Sequence, residues 1–385
     1  MEYFLSEKAV LKWLETPSVY HIGKDDLYEI DSESFDFLKQ CASDRGCLSE
    51  DLEFIDYCLK EGILTKNRVL LKRPPVIKSP VPSLRYIELQ ITNRCNLKCK
   101  HCYIENKSFS ELSVSQIKAV LKEFEEMQGL RVLITGGEPL IHNKFEEINE
   151  ILLEFFIRKI LFTNGLLLNK RILKNLNVDE IQISIDGLEA AHDSLRGRGT
   201  FRKALEAVRN TIDSGFDVSI STMVHTRNLM VHTRNLKDFD EMEKLFRSLD
   251  LKSWTVDVPC ITGRLKENFI FHLTPEEGGK YFKYGYGEGF HSGAKGYACG
   301  LHLMGIMSNG NVAKCSFYSD SPIGKIKEGL RKCWQRIKPI KLNELKCDCQ
   351  YIELCRGGCR YRASLLGDPT GKDLYKCYYY DKIEN

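Results

Sequence analysis

Between residues 85 and 259 the chain carries six short apolar runs, RYIELQI, RVLITGG, KILFTNG, EIQISID, DVSISTM and SWTVDVP. The first five are each followed by an amphipathic stretch of helical period, such as SQIKAVLKEFEEM or FRKALEAVRNTIDSG. Parallel strands can be joined only through long crossovers, so this alternation argues for a parallel sheet with helices packed on it. The expected fold is α/β, a partial (β/α)6 barrel spanning residues 84–295.

Two other regions flank that core. KRPPVIKSPVPS, residues 72–83, holds four prolines, which restrict themselves and their neighbours to extended backbone. It reads as a linker. Before it, SVYHIGKDDLYEID (18–31) looks like a hairpin around the polar turn GKDD. Helices are expected over 34–43 and from Ser49, a good N-cap, to near Gly62. Residues 1–71 thus suggest a small winged-helix-like domain. Residues 1–65 carry 15 acidic and 6 basic side chains. Phosphate binding relies on Lys and Arg, so no nucleic-acid partner is expected there. No run of about 18 apolar residues occurs, and the start lacks the layout of a secretory signal. A cytoplasmic location without a membrane partner is the expectation.

Fifteen cysteines then need an explanation. Cytosolic thiols stay reduced, so metal ligation is favoured over disulfides. Cys41, Cys47 and Cys58 read as small apolar residues of the first domain. Cys95, Cys99 and Cys102 follow the first barrel strand at C-x3-C-x2-C spacing, on the face where parallel barrels keep their active sites. Three thiolates can hold three irons of a [4Fe–4S] cube and leave the fourth open. A zinc site completed by His101 is the alternative. The motif, with His101 and Tyr103 beside its last cysteine, resembles that of the radical S-adenosylmethionine superfamily. The resemblance implies that the open iron chelates S-adenosylmethionine. It further implies that Gly136, Gly137, Glu138 and Pro139 (GGEP) contact the methionine amino group. Ser184, Asp186 and Arg196 would lie near its carboxylate and ribose, with Tyr103 close by.

From residue 296 onwards helical and strand periodicity fades, and clusters are expected to replace a missing hydrophobic core. Cys299, ten residues, Gly310, four residues and Cys315 are followed by Cys347, Cys349, Cys355, Cys359 and Cys377. This pattern resembles the SPASM extension of radical S-adenosylmethionine enzymes. It departs where one residue instead of two separates Cys347 from Cys349. Zinc ribbons are the competing reading. The resemblance implies two auxiliary [4Fe–4S] clusters, hence three in all, over residues 296–385. The first would use Cys299, Cys315 and Cys359, the second Cys347, Cys349, Cys355 and Cys377. A fourth ligand of the first is not evident, so its iron is open or borrows Cys333 or Cys260. Where related enzymes that oxidise a seryl or cysteinyl residue have Asp, this chain has Ser316.

Residues 1 to about 70 also resemble the element that recognises leader peptides of ribosomally made precursors. Together these likenesses imply a peptide-modifying enzyme. Its partners would be a precursor peptide, whose leader adds as a strand to the hairpin's edge, and an electron donor such as flavodoxin or ferredoxin. Two alternatives are a tetrapyrrole or metal-cofactor precursor as substrate, and a non-catalytic iron–sulfur sensor. The duplicated heptad MVHTRNLMVHTRNL, residues 223–236, reads as an insertion tolerated in an exposed loop.

Overall fold

In the first domain, strands β1 (Phe4–Leu5), β2 (Ala9–Trp13), β3 (Pro17–His21) and β4 (Asp26–Glu29) precede helices α1 (Ser32–Cys41) and α2 (Leu52–Lys60) and strand β5 (Leu64–Thr65). The computed structural model describes residues 2–104, 108–225, 235–287 and 295–381. Most of the 223–236 duplication lies outside them.

β2, β3 and β4 form an antiparallel sheet, and β1 pairs with β5. The expected hairpin is thus β3 and β4, with β2 as an added strand. Four of the five β2 residues are buried, so the strand lacks the alternation that marks a half-buried one. Lys12 in it is fully buried and donates to the Gly129 carbonyl at 2.8 Å. α2 is capped by Asp51, which accepts from Phe54 N, rather than by Ser49. Cys41 and Cys47 correct the expectation of unpaired apolar thiols: they are joined by a disulfide. Cys58 is free and buried in the domain's core. The proline-rich segment is extended but fastened. Arg73 donates to the Leu5 and Ser6 carbonyls, Ser79 N donates to Trp13 O, and Glu15 accepts from Ser83 and Arg85.

The barrel strands are β6 (Tyr86–Thr92), β7 (Arg131–Gly136), β8 (Arg158–Thr163), β9 (Glu180–Ser184), β10 (Asp217–Met223) and β11 (Ser253–Asp257). Each pairs in parallel with the next. The connecting helices are α3 (Val114–Glu126), α4 (Phe145–Ile151), α5 (Lys170–Leu173), α6 (Glu189–Arg196), α7 (Thr200–Asp213) and α8 (Asn235–Arg247). α3 begins with a Ser113–Gln116 capping box, which satisfies two otherwise orphaned backbone donors. Its Ile117, Leu121 and Phe124 share a core with Ile87, Leu89, Ile134 and Leu161 of the strands. Each such side chain contributes about 1.5–3 kcal/mol on burial.

Beyond the barrel come α9 (Pro275–Gly279), β12 (Leu303–Ile306), β13 (Asn311–Ala313), β14 (Gly324–Lys325), α10 (Leu330–Arg336), α11 (Ile352–Cys355), α12 (Arg360–Leu365) and α13 (Leu374–Asp381). β12 pairs in parallel with β6, and β13 and β14 continue antiparallel, giving one nine-stranded sheet. Met304, Ile306, Val312, Leu330 and Trp334 belong to the main apolar core. The expectation of a missing core is therefore wrong for residues 303–337. These strands are only two to four residues long, too short to leave a readable period.

Candidate active site

Cys95, Cys99 and Cys102 follow β6 and line one cavity of about 490 Å³ at the C-terminal ends of the barrel strands. Backbone contacts from three directions set their loop. Glu138 N donates to Arg94 O at 2.7 Å, Lys100 N to Leu195 O at 3.0 Å, and Arg264 N to Cys102 O at 2.9 Å. Gly137 allows the first of these approaches, since a Cβ there would stand 2.0 Å from the Arg94 carbonyl oxygen. Gly263 allows the last: its φ is +54°, and a Cβ would stand 2.3 Å from Cys102 O. Among the described residues no three Cys, His, Asp or Glu side chains converge on a single metal ion. A four-iron cube has different needs: it takes each thiolate at a separate corner, and three soft donors on one cavity wall suit it.

Of the residues the sequence singled out, Gly136, Gly137, Ser184, Arg196 and Tyr103 line the same cavity. Glu138, Pro139 and Asp186 are not among the residues that line it. The fully buried Glu138 carboxylate accepts from Thr163 Oγ1 at 2.8 Å and Asn164 N at 2.9 Å. Burial pushes its pKa up to about 7 against those donors. Pro139 opens a short 3₁₀ turn that Glu138 caps. Asp186 is fully buried and accepts from Arg196 Nε and, at 2.8 Å, from Met223 N. Despite burial, the Arg196 guanidinium and neighbouring histidines hold its carboxyl below the ordinary range. His101, between the cysteines, is 3.8 Å from Asp186 through Nε2, and its buried Nδ1 has no hydrogen-bond partner. Tyr103 packs on Phe317 with ring centroids 5.0 Å apart.

A second cavity, of about 460 Å³, is lined by Cys299, Cys315, Cys355 and Cys359. Glu88, Thr255, Asp257 and Phe317 line both cavities, so the two are neighbours. Arg362 fastens the tail to the end of β11. Its Nη1 donates to Asp257 Oδ1 and Val258 O, both at 2.9 Å, and its Nη2 to Asp373 Oδ2 at 2.8 Å. Asp373 Oδ2 in turn accepts from Cys359 N at 2.7 Å. Burial first, then Cys355 and Cys347, push the Cys377 thiol up to about 11. Cys349 is exposed and accepts from Tyr351 N. Cys260, on the loop after β11, lines the first cavity. It neighbours Cys359, and the nearness of the two thiols holds the Cys359 group below its usual range against burial. Cys333 lies in the main core with its thiol toward Lys325 O.

Several residues of the site escape a sequence reading. Thr163 and Asn164 hold Glu138, and FTNG at a strand end marks them only as a turn. Gly263 has no motif around it. Glu88 leaves a signal, a lone charge inside the apolar run RYIELQI; it faces both cavities and accepts from Ser316 N at 2.6 Å.

Comparison with known proteins agrees with this geometry. Residues 89–246 match the family described as the Radical SAM superfamily. The chain is 27% identical over 319 residues to mycofactocin maturase MftC of Mycolicibacterium smegmatis, covering 73% of this chain and 79% of that protein. It is 29% identical over 215 residues to the AdoMet-dependent heme synthase of Oleidesulfovibrio alaskensis, covering 54% of each, so it spans about half that relative's length. In fold it resembles Streptococcus suis SuiB. The crystal structure of SuiB bound to S-adenosylmethionine gives a TM-score of 0.67 at 15% identity, over 97% of this chain and all of that one. The structure of SuiB bound to its precursor peptide SuiA gives 0.60 at 13%, with the same coverage. No helix among the described residues is long and apolar enough to cross a membrane. With the family match over residues 89–246 and three cysteines on the loop after the first barrel strand, this part of the chain is a radical S-adenosylmethionine domain, similar to those of the enzymes of that superfamily.

Proposed function

We propose that this enzyme modifies a ribosomally made precursor peptide. The match of residues 89–246 to the Radical SAM superfamily implies S-adenosylmethionine and one [4Fe–4S] cluster. Cys95, Cys99 and Cys102 would hold that cluster, which supplies the electron that cleaves S-adenosylmethionine to a 5′-deoxyadenosyl radical. Arg196, oriented by Asp186, offers its guanidinium to the S-adenosylmethionine carboxylate, while Ser184 and the Gly136–Gly137 backbone line the same pocket. Glu138, with Thr163 and Asn164, braces the loop. Cys299, Cys315 and Cys359, and Cys347, Cys349, Cys355 and Cys377, would hold two auxiliary clusters. A flavodoxin or ferredoxin is the electron donor in this reading. The product is a thioether, a carbon–carbon crosslink or another oxidised residue.

One observation carries the peptide reading: among the described residues the three-stranded sheet of the first domain leaves its β4 edge open, and the domain is fixed to the barrel. The β2 edge is covered by Arg73 and Ser79 of the extended segment, which leaves β4 open. Ile30 N donates to Pro17 O, so by alternation Leu27 and Glu29 turn their backbone groups outward, ready to pair with a leader strand. The maturase name of MftC and the SuiA-bound structure support this reading. The test is anaerobic: reconstitute the protein, add reductant, S-adenosylmethionine and a candidate precursor, and follow 5′-deoxyadenosine and peptide mass. Deoxyadenosine formation with loss of hydrogen from the peptide is expected. Cleavage that ignores every precursor peptide encoded near this gene would sink it. The heme synthase relative keeps a tetrapyrrole substrate as the second reading, and a copurifying pigment would favour it.

A further inference from the structure

Four cysteines, Cys299, Cys315, Cys355 and Cys359, line the second cavity; with Cys355 assigned to the other auxiliary set beside Cys347 and Cys377, three are left, one short of the four corners of a cube. The described cysteines outside the two motifs are few. Cys41 and Cys47 are bonded to each other. Cys58 lies in the core of the first domain, and Cys333 is buried in the main core beside Lys325 O. Cys260 differs from all of them: it is 3% exposed, lines the first cavity, and is a near neighbour of Cys359. The contact is built rather than incidental. Arg362, three residues beyond Cys359, grips Asp257 and Val258 just before Cys260, and Asp373 holds both Arg362 and Cys359 N. The two loops that carry the thiols are thereby locked together.

We propose that Cys260 is the fourth thiolate of the first auxiliary cluster, completing the set of Cys299, Cys315 and Cys359. This rests on reading the tail as cluster-binding. On ligation Cys260 gives up its Sγ–H proton and the thiolate bonds the remaining iron; no electron moves. Two consequences follow. The cluster keeps no free iron for a substrate thiolate, so its part in catalysis narrows to electron transfer. One of its ligands also stands on the wall of the cavity where the substrate radical forms.

The test uses the reconstituted holoenzyme with S-adenosylmethionine present, which occupies the open iron of the first cluster. In the wild type, about twelve irons per chain are expected. Its reduced electron paramagnetic resonance spectrum should be unchanged by an added small thiol such as 2-mercaptoethanol. Cys260→Ala should either lose iron, down to about eleven or eight per chain as a cube becomes [3Fe–4S] or is lost, or acquire a thiol-sensitive spectrum; Cys333→Ala should do neither. A thiol-sensitive auxiliary signal in the wild type overturns the proposal without any variant. So does a Cys260→Ala protein with full iron and a thiol-insensitive spectrum. A wild type that holds only about four irons instead removes the auxiliary clusters altogether, and the proposal falls with them, while deoxyadenosine formation by the first cluster would stand.

Discussion

A methyl group at Gly137 would sit 2.0 Å from the Arg94 carbonyl oxygen, a backbone atom that cannot swing aside. Gly137→Ala must therefore displace the cysteine loop. Its expected effect is a loss of about four irons per chain, one cube's worth, read by iron analysis, with the iron of the proposed auxiliary clusters retained. Arg196 tests position against charge. Lysine keeps the charge but not the planar fork that reaches Asp186 and the cavity together. Arg196→Lys is expected to weaken S-adenosylmethionine binding about tenfold, corresponding to about 1.4 kcal/mol, measured by equilibrium dialysis. Unchanged binding would place the ligand carboxylate elsewhere. The proposed completion of the first auxiliary cluster by Cys260 belongs to the same scale, because its place beside Cys359, on a loop clamped by Arg362, distinguishes it from the other spare thiols.

Among the elements, β4 and the proline-rich segment carry the separable predictions. Glu29→Pro removes an outward N–H that the sheet itself does not use. Leader-peptide affinity should fall about tenfold, by about 1.4 kcal/mol, in fluorescence anisotropy, while deoxyadenosine formation without peptide is retained. The segment after the first domain is tied down by Glu15, which accepts from Ser83 N at 2.7 Å and Arg85 Nη2 at 2.8 Å. Burial would raise its pKa, but these donors outweigh it and lower the group from 4.5 to about 2. A carboxyl lowered on folding stabilises the fold above its unfolded value, and that contribution fades as pH falls from about 4.5 toward 2. The urea midpoint of wild type should exceed that of Glu15→Gln at pH 5, and the gap should narrow toward pH 3. A gap that widens on acidification would contradict the assignment.

Across the whole molecule, the first domain meets the barrel through an ion network at the N-terminal ends of the strands. Arg158, fully buried, donates to Glu180 Oε2 at 2.8 Å and to Asp217 Oδ2 at 2.5 Å, and reaches the Ile22 carbonyl of the first domain at 2.8 Å. Arg131 and Lys252 converge on Asp25 beside it. Removing one partner of a buried pair strands the others, so Arg158→Ala should cost about 3–5 kcal/mol in urea unfolding. It should also speed hydrogen exchange in residues 9–29. The candidate active site opens at the opposite ends of the strands, so the proposed leader on β4 would have to direct its following residues around the barrel to the cavity.

How much of this was legible follows from where the information sits. The six barrel strands show in the sequence because strands buried under helices read as local apolar runs with local punctuation. The cysteine loop shows because its three ligands sit within eight residues, and one loop can present all three. β2 stayed hidden because burial on both faces erases alternation, and β12 to β14 because they are too short for a period. Glu138 and Asp186 could be placed near the site but not given their roles: which side chain faces the cavity and which braces it depends on Thr163, Asn164 and Arg196, from other elements. Cys260 was only one of two spare thiols in the sequence. Tertiary contact alone, a loop after β11 clamped to the tail by Arg362, separated it from Cys333. Local chemistry is written in neighbouring residues, whereas the partnership of groups a hundred residues apart is decided only when the chain folds.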